Sequence, residues 1–142
     1  MIRNFKHLII VIFVITTSCV WFNQLKSDDK IAKSLENIFK SSSDKIDLSD
    51  FGDFEWDNLI IFGPYSQIEK TEKELRIDLS NIRENGIKYD DRINLIVFIK
   101  ENKSIKIAEI SREIGDFEPE NKLIKKEKAI FKKIGRINVI VD

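Results

Sequence analysis

Apolar residues along the chain pass from an unbroken run, to a helical period, to strict alternation, and each change predicts an element. Leu8 through Ile15 are all apolar. A run with no polar face to meet water is not the core helix of a water-facing domain. From Gln24 to Lys40, apolar residues recur at Ile31, Leu35, Ile38 and Phe39, one face of a helix that Ser27 or Asp28 can cap and Ser41-Ser42-Ser43 can stop. This helix could instead lie on a membrane, but its apolar stripe is narrow and its charges are mixed in sign.

Phe54, Trp56, Ile60 and Phe62 fall on one side of a period-two pattern, with Glu55 and Asp57 opposite at its start and Leu59 and Ile61 opposite at its end. The pattern predicts a strand over 54–62 that is buried more deeply at its far end. Gly63-Pro64 stops it, because proline has no N–H to donate, and Ser66 with Glu69 reads as a capping box for a helix running to about Arg76. Arg92 to Lys100 and Ser104 to Ser111 alternate on either side of Glu101-Asn102-Lys103, an antiparallel hairpin. Ala129 to Ile134 and Ile137 to Val141 form a second, in which Gly135 suits the first central position of a type II′ turn. Residues 115–121 carry no period and predict a long exposed connection. The fold class expected is therefore α+β, with two helices packed on a mostly antiparallel sheet of about five strands, after an N-terminal signal or anchor.

At the N-terminus Arg3 and Lys6 precede the apolar run, and Thr16, Thr17 and Ser18 follow it. A basic start, a short apolar run and small residues make an export signal. Taken generously from Leu8 to Phe22, the apolar stretch is 15 residues. That is roughly 22 Å of helix against a hydrocarbon core of about 30 Å. The chain's one cysteine, Cys19, stands where this run ends, with no second cysteine for a disulfide. The segment resembles the lipobox of bacterial lipoprotein precursors, with Cys19 at the lipidated position and Ser18 before it. The resemblance implies a diacylglycerol on the Cys19 sulfur and cleavage that makes Cys19 the first residue. Thr16 stands where that family usually has an aliphatic residue, so ordinary cleavage and an uncleaved anchor stay open. The organisation expected is a signal peptide over 1–18, a tether over 19–27 and one α+β domain over 28–142.

Phe54, Trp56, Asp57, Phe62, Pro64 and Tyr65 form a Phe-x-Trp-Asp stretch followed by Phe-x-Pro-Tyr. In these residues the chain resembles a group of small, uncharacterised bacterial exported proteins and lipoproteins. That resemblance implies an α+β domain outside the cytoplasm and carries no activity or functional residue with it. Trp56 and Tyr65 read as core anchors whose polar tips want a hydrogen bond, with a partner-facing role as the alternative. Phe117, in the unpatterned stretch, either engages a partner or tucks into the core.

Composition narrows the chemistry. The 142 residues balance 24 Lys and Arg against 24 Asp and Glu, without the basic excess that nucleic acid requires. Loss of residues 1–18 removes Arg3 and Lys6 and leaves 22 basic against 24 acidic side chains. The lysines at 122, 125, 126, 128, 132 and 133 alternate with apolar residues and suit the guarding of a strand edge. The acids from Asp44 to Asp57 lack the spacing and closing Glu of a calcium loop, so no metal is expected. The single histidine, His7, lies in the signal, so a mature chain has no histidine and, with Cys19 lipidated, no free thiol. Ser-His, Cys-His and His-metal sites then have no residues to build them, and no glycine-rich phosphate loop is present, so no cofactor is expected. What survives for catalysis is a carboxylate pair such as Asp53 with Asp57 or Asp90 with Asp91. The expectation is a membrane-anchored extracytoplasmic binding or accessory protein of the bacterial cell envelope. It would have a protein partner and no catalytic activity; a carboxylate-dependent hydrolase, or an immunity or inhibitor protein against a toxin or enzyme, is the alternative.

Overall fold

The computed structural model describes residues 23–41 and 43–141. The signal, Cys19 and the first part of the tether lie outside them. Helix α1 (Asp29–Lys40) starts where the Asp28 carboxylate accepts from the backbone N–H groups of Lys30 at 3.0 Å and Ile31 at 3.1 Å. These are two of the donors that a helix start leaves unpaired. Its buried face is Ala32, Leu35 and Phe39, with Ile31 and Ile38 at the margin.

The centre of the molecule is an antiparallel sheet of β2 (Asn58–Phe62), β3 (Ile93–Lys100), β4 (Lys103–Ser111) and β6 (Ile124–Lys125), in the order β4-β3-β2-β6. Glu101 and Asn102 both have positive φ, 49° and 62°, between the paired Lys100 and Lys103. Two such residues give the type I′ turn that matches strand twist. The register slips between Phe98 and Ile99, which makes Ile105 an extra residue opposite β3. A bulge of this kind breaks the two-residue alternation, and Ile105 packs on the opposite side from Ile107.

Both faces of this sheet are covered. On one, Leu59, Ile61, Ile96, Phe98, Ala108 and Ile110 pack with α1 and with a second sheet. On the other, Ile60, Phe62, Leu95, Val97, Ile99 and Ile107 meet helix α2 (Ile68–Leu75) and the segment after it, whose Ile77, Leu79, Ile82 and Ile87 are buried. The second sheet has the order β1-β7-β8-β5, from β1 (Lys45–Asp47), β7 (Ile130–Ile134), β8 (Ile137–Ile140) and β5 (Asp116–Glu118). All its pairs are antiparallel except β5 with β8. Phe39, Phe117 and Phe131 join α1 to this sheet edge-to-face, with ring centroids 5.0 to 5.7 Å apart.

The α+β class, the two helices and the mostly antiparallel pairing stand, with the strands divided between two four-stranded sheets. Three local expectations change. The strand expected over 54–62 begins at Asn58, because the preceding chain loops to bring Phe51, Phe54 and Trp56 around the Phe98 ring, at 5.7, 5.1 and 5.3 Å. The capping box does not form: Gln67 holds the cap position without a side-chain hydrogen bond, and the Glu69 carboxylate turns to the Lys88 ammonium at 2.7 Å. The stretch over 115–121 is not an exposed connection, since three of its residues are strand β5 with Phe117 in the core. A three-residue strand is too short to leave a period.

Trp56 is 2% exposed, donates its Nε1–H to the Phe51 carbonyl at 3.0 Å and lies under the Lys126 ammonium, 5.3 Å from the ring centroid. Trp56→Ala removes the largest ring of this cluster and is expected to destabilise the fold by about 3–5 kcal/mol. Urea denaturation checks this, and a loss under about 1 kcal/mol would contradict the assignment.

Candidate functional site

Of the residues singled out from the sequence, Trp56 and Phe117 are 2% and 1% exposed, and a partner cannot reach them without opening the core. Cys19 lies outside the described residues. Tyr65 is 64% exposed and stands on the corner that follows β2. Its backbone is left-handed, with φ 62°, and its N–H donates to the Ile87 carbonyl at 2.8 Å. That bond joins the corner to the turn over 86–88, which the Asn85 side chain caps by accepting from the Ile87 N–H at 3.0 Å. Two residues on is Tyr89, 85% exposed, a residue the sequence reading passed over. No period marks it; the only cue is an aromatic residue in the polar neighbourhood of Lys88, Asp90, Asp91 and Arg92.

Beneath these corners the charges are already matched. Glu69 on α2 accepts from Lys88 and lies 3.8 Å from Arg83, whose guanidinium also pairs with Glu72. The Lys88 hydrogen bond is the main reason why the Glu69 carboxyl is held below its ordinary range. The two tyrosines thus stand on a backbone-bonded platform with little unpaired charge to desolvate.

A second feature is a polar cleft of about 860 Å³ near the ends of β3, β4 and β5. Arg112 forks onto Asp116, with Nε to Oδ1 at 2.7 Å and Nη2 to Oδ2 at 2.9 Å, and its Nη1 donates to the Asp91 carbonyl at 2.8 Å. Arg92 forks in the same way onto Asp90, at 2.9 and 2.8 Å. These bonds from arginine lower both carboxyls, Asp90 to about 2. Glu109 accepts from the Gly86 N–H at 2.7 Å and Glu36 from the Ser111 N–H at 2.8 Å. Four cleft carboxylates are therefore bound up in holding loops together.

Hydrolysis by two carboxyls needs one that keeps its proton beside one that stays ionised. Glu120 is the one carboxyl that is pushed up among the described residues, first by burial and then by the negative charge of Asp116. It packs over Gly63, where a Cβ would collide with its carboxylate, and it does not line the cleft. Its neighbour Asp116 is engaged by Arg112 on both oxygens. Of the pairs read from the sequence, Asp57 accepts from the Glu101 N–H at 2.8 Å while Asp53 is exposed, and Asp90 is held by Arg92. Among the described residues no group of three or more His, Cys, Asp and Glu is placed to hold a metal ion, and no helix is long and apolar enough to cross a membrane. No family model, curated protein or solved structure matches the chain.

The acids make opposite contributions with pH. Asp90 and Asp116, lowered from 3.8, support the fold above that value and lose this support as pH falls, Asp90 through about 2. Glu120, raised from 4.5, favours the fold while protonated and opposes it as pH climbs through the raised value. Glu120→Gln is accordingly expected to raise the unfolding midpoint at about pH 7, with the gain vanishing below about pH 4. Thermal melts across that range check the sign; a midpoint lowered at neutral pH would contradict it.

Proposed function

We propose that this chain is a lipid-tethered, extracytoplasmic binding protein of the bacterial cell envelope, an accessory factor or inhibitor that engages a protein partner through Tyr65 and Tyr89. The observation that carries the binding part is the pair of exposed tyrosines on two corners joined by the bond from the Tyr65 N–H to the Ile87 carbonyl. Tyrosine combines a large apolar body with a polar tip, loses little conformational freedom on binding, and is enriched where interfaces concentrate their energy. The location rests on the basic start, the short apolar run and Cys19. Two or more acyl chains hold a protein stably where one holds it marginally, at about 0.8 kcal/mol per buried methylene.

Hydrogen bonds of residues 24 and 25 would keep the domain close to such a tether. The Gln24 side chain donates to the Ser80 carbonyl at 3.0 Å and accepts from the Arg83 N–H at 2.8 Å, and the Leu25 N–H donates to the Asn81 carbonyl at 2.7 Å. Only residues 20–23 separate these anchor points from Cys19. Five Cα steps span at most about 18 Å, so a lipidated domain would ride on the membrane surface.

A photo-crosslinking residue at position 65 or 89, in cells making the full chain, is expected to give a discrete protein adduct that the same residue at exposed position 70 does not give. The absence of any adduct at both tyrosine positions would remove this surface from the reading. Tyr65→Ala with Tyr89→Ala is expected to weaken that partner at least about 10-fold while changing stability by no more than about 1 kcal/mol. Cys19→Ala is expected to shift the protein from the membrane to the soluble fraction or to stall its precursor. Unchanged fractionation and no acyl label on the parent chain would overturn the tether.

A further inference from the structure

The second sheet turns one face to the core and the other to solvent, and the outward face carries aliphatic residues among its charges. Phe131, Asn138 and Phe117 point inward, so their neighbours along β7, β8 and β5 point outward. Ile134 is paired directly with Ile137, and Val139 follows on β8. Ile134 is 58% exposed, and Ile137 and Val141 are each more than a third exposed. We infer that this face binds a second copy of the same chain, sheet against sheet.

The register supplies the argument. One row across the sheet reads Lys45, Lys132, Val139, Glu118, each paired with the next. Lys45 and Lys132 are like charges directly opposite one another, an arrangement that costs stability in a sheet. Neither makes an ion pair among the described residues, and neither does Glu118. Asp47, the other outward residue of β1, is occupied by its own loop, accepting from the Ser49 N–H at 2.9 Å. The row is thus basic over its first two strands, aliphatic at Val139 and acidic at its far end.

Two copies stacked face to face about a two-fold axis parallel to the strands reverse the row. With the axis over Val139, Lys132 of each copy lies over Glu118 of its partner and Val139 stacks on Val139, while Lys45 falls beyond the partner's edge strand. An axis across the strands would instead set like on like, so the charges select one of the two symmetric arrangements. The four strands have 3, 5, 4 and 3 residues, and at about 4.8 Å by 3.4 Å per residue they give a footprint of about 240 Å². This is under half of the roughly 800 Å² per partner of a stable complex, so the dimer is a weak one. The inference is independent of the tether and of the tyrosines.

Sedimentation of the full chain in mild detergent, up to about 1 mM, tests it. A concentration-dependent dimer is expected. Lys132→Glu should weaken it at least about 10-fold while stabilising the monomer, since it turns the Lys45–Lys132 repulsion into attraction. Adding Glu118→Lys to Lys132→Glu should restore the dimer to within about 3-fold of the parent. Val139→Lys should abolish it. A chain that stays monomeric throughout the range would overturn the inference. So would a dimer indifferent to these substitutions, which would place the contact elsewhere, on the tyrosine corners or on residues 1–22.

Discussion

The constraint on which the rest of the structure depends is that β2 and β3 are apolar on both faces. Leu59 to Phe62 and Leu95 to Ile99 are all buried, so alternate side chains enter two separate cores. A sheet of this kind cannot leave either side to water. At about 1.5–3 kcal/mol for each large side chain withdrawn from water, exposure of one face would outweigh the whole net stability of a domain this size. Every other element is explained by which face it covers. Helix α1 and the second sheet close one, and α2 with the segment after it closes the other.

The same demand fixes where the functional surfaces stand. The second cover is mostly irregular chain, with turns at Ser80–Ile82 and Gly86–Lys88 that bury Ile82 and Ile87 and leave Glu84 exposed between them. Tyr89 follows the second turn, and Tyr65 is held beside it by the bond to Ile87, a buried residue. The exposed tyrosines are therefore positioned by the core residue beneath them. The first cover includes a sheet only one strand layer thick, whose outer face is left over once its inner face has met the core.

Much of this was legible in the sequence where a pattern ran long enough to have a period. Helix α1, the β3–β4 hairpin and the β7–β8 hairpin are long or end in marked turns, and Asp28, Asn102 and Gly135 behave as those residue types dictate. What escaped was short or non-local. Strand β5 has three residues and pairs in parallel with a strand about 20 residues later, so neither a period nor a turn announces it. Phe54 and Trp56 keep the spacing of a strand because both reach Phe98, although the backbone between them is a loop. Ser66 and Glu69 have the spacing of a capping box, yet Lys88, 19 residues away, binds Glu69 instead. The candidate surface was half legible: Tyr65 was visible through its motif, while Tyr89 became its neighbour only through folding.

The two sheets are kept in register by a few polar groups in the core between them. Asn94 on β3 donates to the Gly115 carbonyl at 3.1 Å, and Asn138 on β8 donates to the carbonyls of Ile114 at 3.3 Å and Asp116 at 3.0 Å. Both side chains are fully buried, and each Oδ1 has no protein partner among the described residues, so these amides are costly where they stand. Apolar residues there could pack without selecting any one placement of the 114–116 segment, whereas an amide must find a carbonyl. Gly115 makes the arrangement possible: its φ of 109° disfavours other residues, and a Cβ would sit 2.6 Å from the Arg136 carbonyl oxygen. The Asp116 N–H donates to that same oxygen at 2.9 Å, which starts the parallel pairing of β5 with β8. Placement of β5 brings Phe117 into the aromatic triangle and Glu118 to the outer face beside Val139. The charge that polarises the exposed sheet face is therefore set by hydrogen bonds made on its buried side.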